Sequence, residues 1–354
     1  MKYLLVLLLS FNLLAVNKKL RAKIGPTVAA PIEYKGKLYF LATTGNLYES
    51  DYKLDKIKSI FNTKNSSVTE LTLDGELVYF GEGLHDTTKA NFYIYNLKKK
   101  KIEKTISLQG HIQRAAAFDK ESIFIGHGPG GISSIDKKSF KLNWTLSKIA
   151  GKKIHIDSKP IIIGENVCFN SIYTTKAIIC VNKKTQKIVS RHDFKVSPKM
   201  ENLEIGKYIV GATTKADMLK SKFDIPSMLY FFNKETLKVE HTKELRGYNF
   251  FSPKAMNENE FLITLSTGDI LTYNIPNKKI TFVGEFPEPF ISTPFMKETD
   301  LCAIGIMGQL LCFEKGKTRY HITTKKRYFE SPIGIIKKIK GKHFIPSRVG
   351  YFII

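Results

Sequence analysis

The sequence predicts an all-β fold, a β-propeller of about eight four-stranded antiparallel blades, with seven blades as the alternative count. Three observations point to it. A short strand motif recurs at intervals of 40 to 51 residues, which matches the period of propeller blades. Glycine-containing turns stand between paired apolar segments, as in β-hairpins. Phe (24 residues) and Tyr (16) are abundant, and beyond the N-terminus no helical pattern exceeds about three turns.

The recurring motif is an alternating apolar strand that ends in Asp or Asn, or in Glu in its last copy, and is followed by lysine-rich turn residues. Its copies are residues 47–51, 92–96, 132–136, 178–182, 229–233, 270–274 and 310–314. A second apolar strand precedes each copy, at residues 37–42, 76–81, 122–126, 166–170, 207–212, 260–265 and 300–305. Further short strands flank each pair, so that four strands in each repeat predict one blade.

The two ends of the chain are expected to close the ring. Residues 331–354 contain three more apolar segments and predict an eighth blade that lacks its fourth strand. Residues 20–24, just before the first blade, are expected to supply that strand. Such closure would cover the strand edges that otherwise invite aggregation. We therefore expect one propeller domain over residues 16–354.

The N-terminus has the pattern of a targeting segment. Lys2 precedes an apolar stretch, residues 3–16, that only Ser10 and Asn12 interrupt. Its roughly 13 apolar residues are too few for a comfortable transmembrane helix and are typical of a secretory signal. We predict a signal peptide over residues 1–15, no transmembrane span after cleavage, and a periplasmic or extracellular location; an uncleaved N-terminal anchor is the alternative. No Cys stands nearby for lipidation of the bacterial lipoprotein kind.

The charge is strongly positive, at +24, and comes mainly from lysine: the chain has 49 Lys and 7 Arg. Arg is the residue of bidentate phosphate and base contacts, so this composition does not favour specific nucleic-acid recognition. The simplest interpretation is a solvated positive surface. A polyanion or an anionic lipid as the partner is the alternative.

Two segments carry a family resemblance. Residues 36–48, which lead to Asp51, and residues 136–144, which contain the single Trp144, resemble the repeat of quinoprotein-like (PQQ-like) propellers. The resemblance covers residues 20–354 and implies the fold. Within that group the chain is similar to the propeller subunit of the outer-membrane β-barrel assembly machinery in size, export signal and blade number, but it lacks a lipobox Cys. Because the repeat is a packing signature, it says little about function.

The four cysteines form two matching pairs. Cys168 and Cys180 lie on the two strands of one predicted hairpin, and Cys302 and Cys312 lie on the two strands of another. Facing residues of a hairpin are close enough to bridge, so we predict two disulfides, which fit an oxidising compartment. Four buried free thiols are the alternative.

Motifs for catalysis or metal binding are weak in this sequence. The eight histidines are scattered singly, and each is expected to be a loop or strand-surface residue; they are residues 85, 111, 127, 155, 192, 241, 321 and 343. Residues 126–131 (Gly-His-Gly-Pro-Gly-Gly) look like a phosphate cradle, but a strand follows them instead of a helix, which favours a hairpin turn. We predict no metal, no cofactor and no catalytic residue.

A quinoprotein oxidoreductase is the enzymatic alternative. The resemblance would imply a larger, tryptophan-rich propeller with an adjacent Cys-Cys pair and a Ca²⁺ site beside the cofactor. This chain has one Trp and no adjacent cysteines, so the family's catalytic residues find no matching positions.

One enlarged loop is the candidate recognition element. It spans residues 213–227 in the fifth predicted blade, and Met218, Leu219, Phe223 and Ile225 would be adhesive if exposed. A short helix packed on its own blade is the alternative. The sequence therefore predicts a non-catalytic, exported scaffold that binds a protein partner in the cell envelope. A polyanion-binding propeller comes second, and an oxidoreductase third.

Overall fold

The computed structural model describes residues 24–216, 222–249, 252–286, 289–290, 292–297, 300–305, 310–313, 320–322, 334–348 and 350–354. The described residues are all-β, and none of them forms a helix long and apolar enough to cross a membrane. Seven four-stranded antiparallel sheets and one three-stranded sheet follow one another along the chain. We call them blades 1 to 8.

The strands of the first four blades follow in chain order. Blades 1 and 2 contain β1 (Ile32–Tyr34), β2 (Lys37–Leu41), β3 (Asn46–Ser50), β4 (Lys58–Asn62), β5 (Thr72–Asp74), β6 (Leu77–Gly81), β7 (Lys89–Asn96) and β8 (Lys101–Gln109). Blades 3 and 4 contain β9 (Ala117–Phe118), β10 (Ser122–Gly126), β11 (Ile132–Asp136) and β12 (Leu142–Leu146), then, after a small hairpin of β13 (Lys148–Ile149) and β14 (Lys152–Lys153), β15 (Ile161–Ile163), β16 (Asn166–Ser171), β17 (Ala177–Asn182) and β18 (Ile188–Asp193).

The remaining blades repeat the same order, and the described residues give blade 8 three strands. Blades 5 and 6 contain β19 (Leu203–Ile205), β20 (Tyr208–Thr214), β21 (Ser227–Asn233), β22 (Lys238–Leu245), β23 (Lys254–Asn257), β24 (Glu260–Thr264), β25 (Asp269–Asn274) and β26 (Lys279–Glu285). Blades 7 and 8 contain β27 (Phe295–Lys297), β28 (Asp300–Ile304), β29 (Leu310–Phe313), β30 (Tyr320–Ile322), β31 (Lys337–Ile339), β32 (Lys342–Ser347) and β33 (Gly350–Ile353).

Burial explains the apolar pattern of each blade. The second and third strands are almost continuously buried, as in β16 and β17, because neighbouring blades cover both of their faces. The fourth strands, such as β18 and β22, alternate between exposed and partly buried residues. Aromatic and β-branched side chains therefore concentrate on the middle two strands, where a pleated surface packs on both sides.

The core consists of apolar clusters between successive blades, and it closes into a ring. Blade 2 packs against blade 3 through Tyr79 and Ile123, for example, and blade 5 packs against blade 6 through Phe231 and Phe261. The last cluster joins blade 8 to blade 1 and includes Phe344. Eight such interfaces link the eight sheets. Seven of these sheets have four strands, and the eighth has three strands within the described residues.

Hydrogen bonds also join the two ends of the described chain. The Thr27 backbone N–H donates to the Ser347 carbonyl (2.8 Å), and the Thr27 hydroxyl donates to the Gly350 carbonyl (3.0 Å). The Tyr351 hydroxyl donates to the carbonyl of Ala29. The predicted closing strand, residues 20–24, and the predicted signal peptide, residues 1–15, lie outside the described residues except for Ile24, which is buried between blades 8 and 1.

Candidate functional site

The topology of the blades places two kinds of connection at one end of the propeller. In an antiparallel four-stranded meander, the link from the second to the third strand and the link to the next blade lie at the same end of the sheet. We call this end the loop face. It includes residues 82–88 in blade 2, residues 110–116 between blades 2 and 3, and residues 154–160 between blades 3 and 4.

Four side chains converge on the loop face. His85 lies in the loop between β6 and β7, His111 lies between β8 and β9, and His155 and Asp157 lie in the connection that leads into β15. One donor atom from each residue lies within 4.8 Å of the donor atoms of the other three. Their number and type, three imidazoles and one carboxylate, suit a transition-metal ion. We call this group the His₃Asp cluster.

Asp157 is the centre of the cluster. Nε2 of His111 donates to its Oδ1 (2.8 Å), and Nε2 of His155 donates to its Oδ2 (2.9 Å). Nδ1 of His85 lies 3.8 Å from Oδ2, beyond hydrogen-bond distance. The His85 ring meets the His111 ring edge to face, with the centroids 4.9 Å apart. The carboxylate is thus bonded to two imidazoles while a third stands beside it.

The four side chains of the cluster differ in their exposure to solvent. His111 is fully buried, whereas the side chains of Asp157 and His155 are 13% and 18% exposed and that of His85 is 64% exposed. Burial alone would raise the pKa of Asp157, but the hydrogen bonds from His111 and His155 outweigh it and hold the pKa well below its usual range. Partial burial lowers the pKa of His85, against the attraction of Asp157. The cluster therefore contains an ionised carboxylate, and His85 is its most exposed member.

Backbone pairing fixes the residues that present the cluster. The backbone N–H and carbonyl groups of Ile156 and Gly128 exchange two hydrogen bonds of 3.0 Å. The N–H of Ile172 donates to the carbonyl of His155 (2.9 Å). Because both neighbours of Ile156 along the chain belong to the cluster, these bonds hold His155 and Asp157 in place. The segment is as constrained as a strand although it lies in a connection between blades.

Gly128 provides the space for His111. A Cβ on Gly128 would lie 2.6 Å from Nε2 of His111, and the φ angle of Gly128 is +56°, a region that favours glycine. Gly128 belongs to the Gly-rich segment 126–131, which is confirmed as the hairpin turn between β10 and β11. The close approach of this turn to His111 gives the glycine a second role, as part of the cluster's wall.

A buried carboxylate supports the loop that carries His85. Glu82 is fully buried, and its oxygens accept five hydrogen bonds, from both nitrogens of Asn65, both nitrogens of Asn91 and the hydroxyl of Tyr93. Its backbone carbonyl accepts from the N–H of Ile112 (3.0 Å). Glu82 therefore anchors the connection that contains His111 to the start of the loop that contains His85.

The expectation that each histidine is a loop or strand-surface residue is wrong for His343, which is 3% exposed on β32. His111 and His127 do lie in connections between strands, but they are buried, at 0% and 1% exposed. His127 donates from Nδ1 to the carbonyl of Gln109 (2.6 Å) and accepts at Nε2 from Ser133 (2.9 Å). The three histidines of the cluster escape a search for ligand pairs because they are 26 and 44 residues apart in sequence and come from different connections.

The predicted cysteine pairs are confirmed as disulfides. Cys168 faces Cys180 across β16 and β17, and Cys302 faces Cys312 across β28 and β29; each pair forms a disulfide bond. Both are buried between blades. The alternative of free thiols is thus wrong.

The enlarged loop of blade 5 lies on the loop face, but the structure describes it only in part. Met218 and Leu219 lie outside the described residues. Phe223 is 45% exposed, and its carbonyl accepts a hydrogen bond from the Ser266 hydroxyl (2.5 Å). Ile225 is partly buried against Tyr248. Recognition of a partner by this loop stays a prediction, with Phe223 as its exposed apolar residue.

The central channel carries charges of both signs. Glu70, Lys159 and Lys337 line a cavity of about 530 Å³ among the first strands of several blades. Arg114 forms an ion pair with Glu201 (3.1 Å). Burial and repulsion from Glu201 raise the pKa of Glu70 to about 7, although Arg114 and two lysines oppose the shift. The described lining of the channel is therefore mixed in charge, unlike the acidic funnel that the oxidoreductase alternative predicts.

The residues that a quinone cofactor would require have no counterpart here. Trp144 lies on the outermost strand of blade 3, where its indole N–H donates to the Lys183 carbonyl (2.8 Å). All four cysteines are used in disulfides within hairpins. The described residues thus do not fit the tryptophan-rich pocket and adjacent cysteine pair of that enzyme group.

No family model matches the chain, and no curated protein matches its sequence. Solved structures do share its fold. BamB from Moraxella catarrhalis superposes with a TM-score of 0.68 at 12% identity, over 92% of this chain and 95% of that one. The computationally designed Ika8 protein gives the same TM-score and identity over 93% and 95%. A quinohemoprotein alcohol dehydrogenase from Comamonas testosteroni gives 0.59 at 11% identity, over 83% of this chain and 65% of that one.

These similarities show the fold. The resemblance to PQQ-like β-propellers, and within them to BamB, is confirmed at that level. The three proteins include an enzyme and a designed protein, so function has to be argued from the surface of this chain.

Proposed function

We propose that the chain is an exported, non-catalytic propeller scaffold that binds a protein partner in the cell envelope through its loop face. The two disulfides fit an oxidising compartment, and residues 1–15 would serve as the export signal. The likeness to BamB over nearly the whole chain supports a scaffold. In this proposal the mature protein, residues 16–354, is periplasmic or extracellular.

Exposed apolar side chains on the loop face carry the proposal. Leu84 is 39% exposed, Tyr173 is 50% exposed and Phe223 is 45% exposed. All three lie in loops that join the second and third strands of blades 2, 4 and 5. Large apolar and aromatic residues that stand on one face of a rigid scaffold are the usual anchors of protein interfaces. They give the loop face three separate contact points.

The charge beside these anchors indicates the chemistry of the partner. A groove of about 520 Å³ begins at Tyr173 and is lined by Lys176, Lys195, Lys199 and Lys215. Three of these lysines are exposed, and the Lys199 ammonium donates to the carbonyl of Ala216 (2.6 Å). A segment that carries both carboxylates and apolar side chains would complement this surface. We therefore propose an acidic, partly apolar segment of an envelope protein as the ligand.

Site-specific cross-linking tests this proposal. A photo-reactive amino acid at position 173 of the full chain should give one discrete protein adduct in the native envelope. The adduct should persist at 0.5 M salt, where the screening length is about 4–5 Å, because apolar contacts do not depend on long-range charge. The same amino acid at position 282 is the control, since Phe282 is 58% exposed but lies on the outermost strand of blade 6.

Substitutions measure the strength of the contact. Tyr173→Ser and Phe223→Ser should each weaken binding to the identified partner about tenfold or more, as loss of an interface anchor does, whereas Phe282→Ser should not. Equal adducts at positions 173 and 282 would contradict the proposal. Capture of only glycans or nucleic acid, lost at 0.5 M salt, would favour the polyanion alternative instead.

A further inference from the structure

The donors of the His₃Asp cluster form a set that suits one kind of cation. Imidazole nitrogen is a good ligand for Zn²⁺, Cu²⁺ and Ni²⁺, and a single carboxylate completes a four-ligand site for Zn²⁺. Calcium and magnesium prefer shells made of oxygen. A site with three nitrogens and one carboxylate therefore selects against the two most abundant divalent cations and in favour of the zinc group.

The spacing of the donors is close to what one ion requires. Four ligands at about 2.0–2.2 Å from a tetrahedral Zn²⁺ lie roughly 3.3–3.6 Å from one another. The donors of the cluster already lie within 4.8 Å of one another, and two of the contacts to Asp157 are shorter than 3 Å. The widest gaps would have to shrink by about 1 Å. His85 is the member that can move, because its side chain is 64% exposed on a loop.

Hydrogen bonding within the protein leaves the cluster incompletely satisfied. Nδ1 of His111 is buried and has no hydrogen-bond partner. Because Nε2 of the same ring is bonded to Asp157, Nδ1 is a buried polar atom whose hydrogen-bonding capacity is unused. A cation that takes Nδ1 of His111 as its ligand would remove this deficit.

The position of His85 favours a metal site over a network of hydrogen bonds with a purely structural role. His111 and His155 already provide the two hydrogen bonds to Asp157. His85 makes no hydrogen bond to the carboxylate, yet its Nδ1 lies 3.8 Å away. A structural His–Asp–His network has no need of a third, exposed imidazole in that place, whereas a four-ligand ion does.

We propose that His85, His111, His155 and Asp157 bind one divalent ion of the zinc group. The ion would join loops of blades 2, 3 and 4 at a single point on the loop face, because its ligands come from three separate connections. Its affinity would be limited by the ordering of the His85 loop. This inference does not depend on the partner-binding proposal, because metal binding can be measured on the purified chain alone.

Metal titration of the full-length chain tests the proposal, with any histidine tag removed and bound metal first stripped by a chelator. Co²⁺ and Zn²⁺ should bind at one equivalent, and Co²⁺ should show the visible absorption of a four-coordinate site. Mg²⁺ and Ca²⁺ should not compete. Zn²⁺ should also raise the melting temperature, and the rise should grow with the logarithm of its free concentration above the dissociation constant, since it binds the native state.

The informative variant is His85→Ala, since this exposed loop residue can be removed without disturbing the buried network. It should weaken Zn²⁺ binding at least tenfold and reduce the rise in melting temperature at a given Zn²⁺ concentration. Asp86→Asn, the exposed neighbour in the same loop, and His192→Ala, on a remote strand, should bind Zn²⁺ like the wild type. Absence of saturable binding at one equivalent, or wild-type affinity in His85→Ala, would overturn the proposal.

Discussion

Glu70 is the described carboxyl group whose pKa rises most clearly above the ordinary value, to about 7, because it is partly buried in the channel and faces Glu201. In the unfolded chain a Glu ionises at about pH 4.3. Between these two values the folded state binds more protons than the unfolded state, so the free energy of unfolding falls as the pH rises. Below pH 4 both states are protonated and Glu70 carries no such penalty; above pH 7 the penalty is complete.

Glu70→Gln should therefore stabilise the protein in a pH-dependent way. We expect its advantage over the wild type to be small at pH 5 and to grow to an order of 1–3 kcal/mol at pH 8.5, where the wild-type carboxylate is charged. Urea unfolding at the two pH values measures this difference. Glu258→Gln, at an exposed turn position, is the control and should show no such trend. If the stability advantage of Glu70→Gln became smaller as the pH rises, Glu70 would not have the raised pKa that we assign to it.

At the scale of the element, the recurring Asp or Asn has a clear physical role. It ends the third strand, and in blades 1 to 6 its side-chain oxygen accepts backbone N–H groups of the following turn. Four residues further on, Lys100, Phe140, Gln186, Leu237 and Lys278 have positive φ angles. The turn therefore satisfies its own backbone donors and reverses the chain into the fourth strand.

Asn182→Ala should destabilise blade 4 by about 1 kcal/mol, since two backbone N–H groups, those of Lys184 and Thr185, lose their acceptor. Chemical denaturation of the purified chain provides the measurement. Lys184→Ala in the same turn is the matched control, because it keeps both of those hydrogen bonds. If the two variants were equally stable, the side chain of Asn182 would not be what holds the turn.

For the whole molecule, the decisive contact is the one between its two ends. Gly334 leads into blade 8 with a φ angle of +122°, and a Cβ on it would lie 1.8 Å from the carbonyl oxygen of Val28. The N–H of Ile335 donates to that same oxygen (3.4 Å). No side chain fits between the two segments, so the ring closes only if this position is glycine.

Gly334→Ala should accordingly lower the free energy of unfolding by several kcal/mol, because the new side chain disrupts both the backbone conformation at this position and the contact that closes the ring. Gly341→Ala is the control within the same blade: its φ angle is +80°, but no atom lies within 4 Å of the added Cβ. We expect that variant to lose only about 1–2 kcal/mol through backbone strain. Equal denaturation midpoints for the two variants would show that closure at Val28 does not contribute to stability.

Much of this architecture could be predicted from the sequence because it repeats. The second and third strands, the turns after Asp51 and Asn96, and the two disulfides all follow from local pattern and spacing. The His₃Asp cluster does not, because its ligands come from three connections that no sequence period relates. A search for ligand pairs along the sequence does not reveal that the connections carrying His85, His111 and His155 lie at one end of the molecule. Their angular positions around the ring and the directions of their side chains depend on packing between blades.

The fourth, outermost strands of the blades suggest a role for their lysines that requires no anionic ligand. In six of the four-stranded blades the register between the third and fourth strands shifts through a bulge or irregularity. The fourth strands β4, β8, β22 and β26 also present lysines to solvent, among them Lys58, Lys104 and Lys243. An irregular, charged edge is a poor template for a strand from another molecule. Copies of this protein should therefore remain separate at the high concentrations of a crowded compartment, even though these fourth strands pair on one side only within the described sheets.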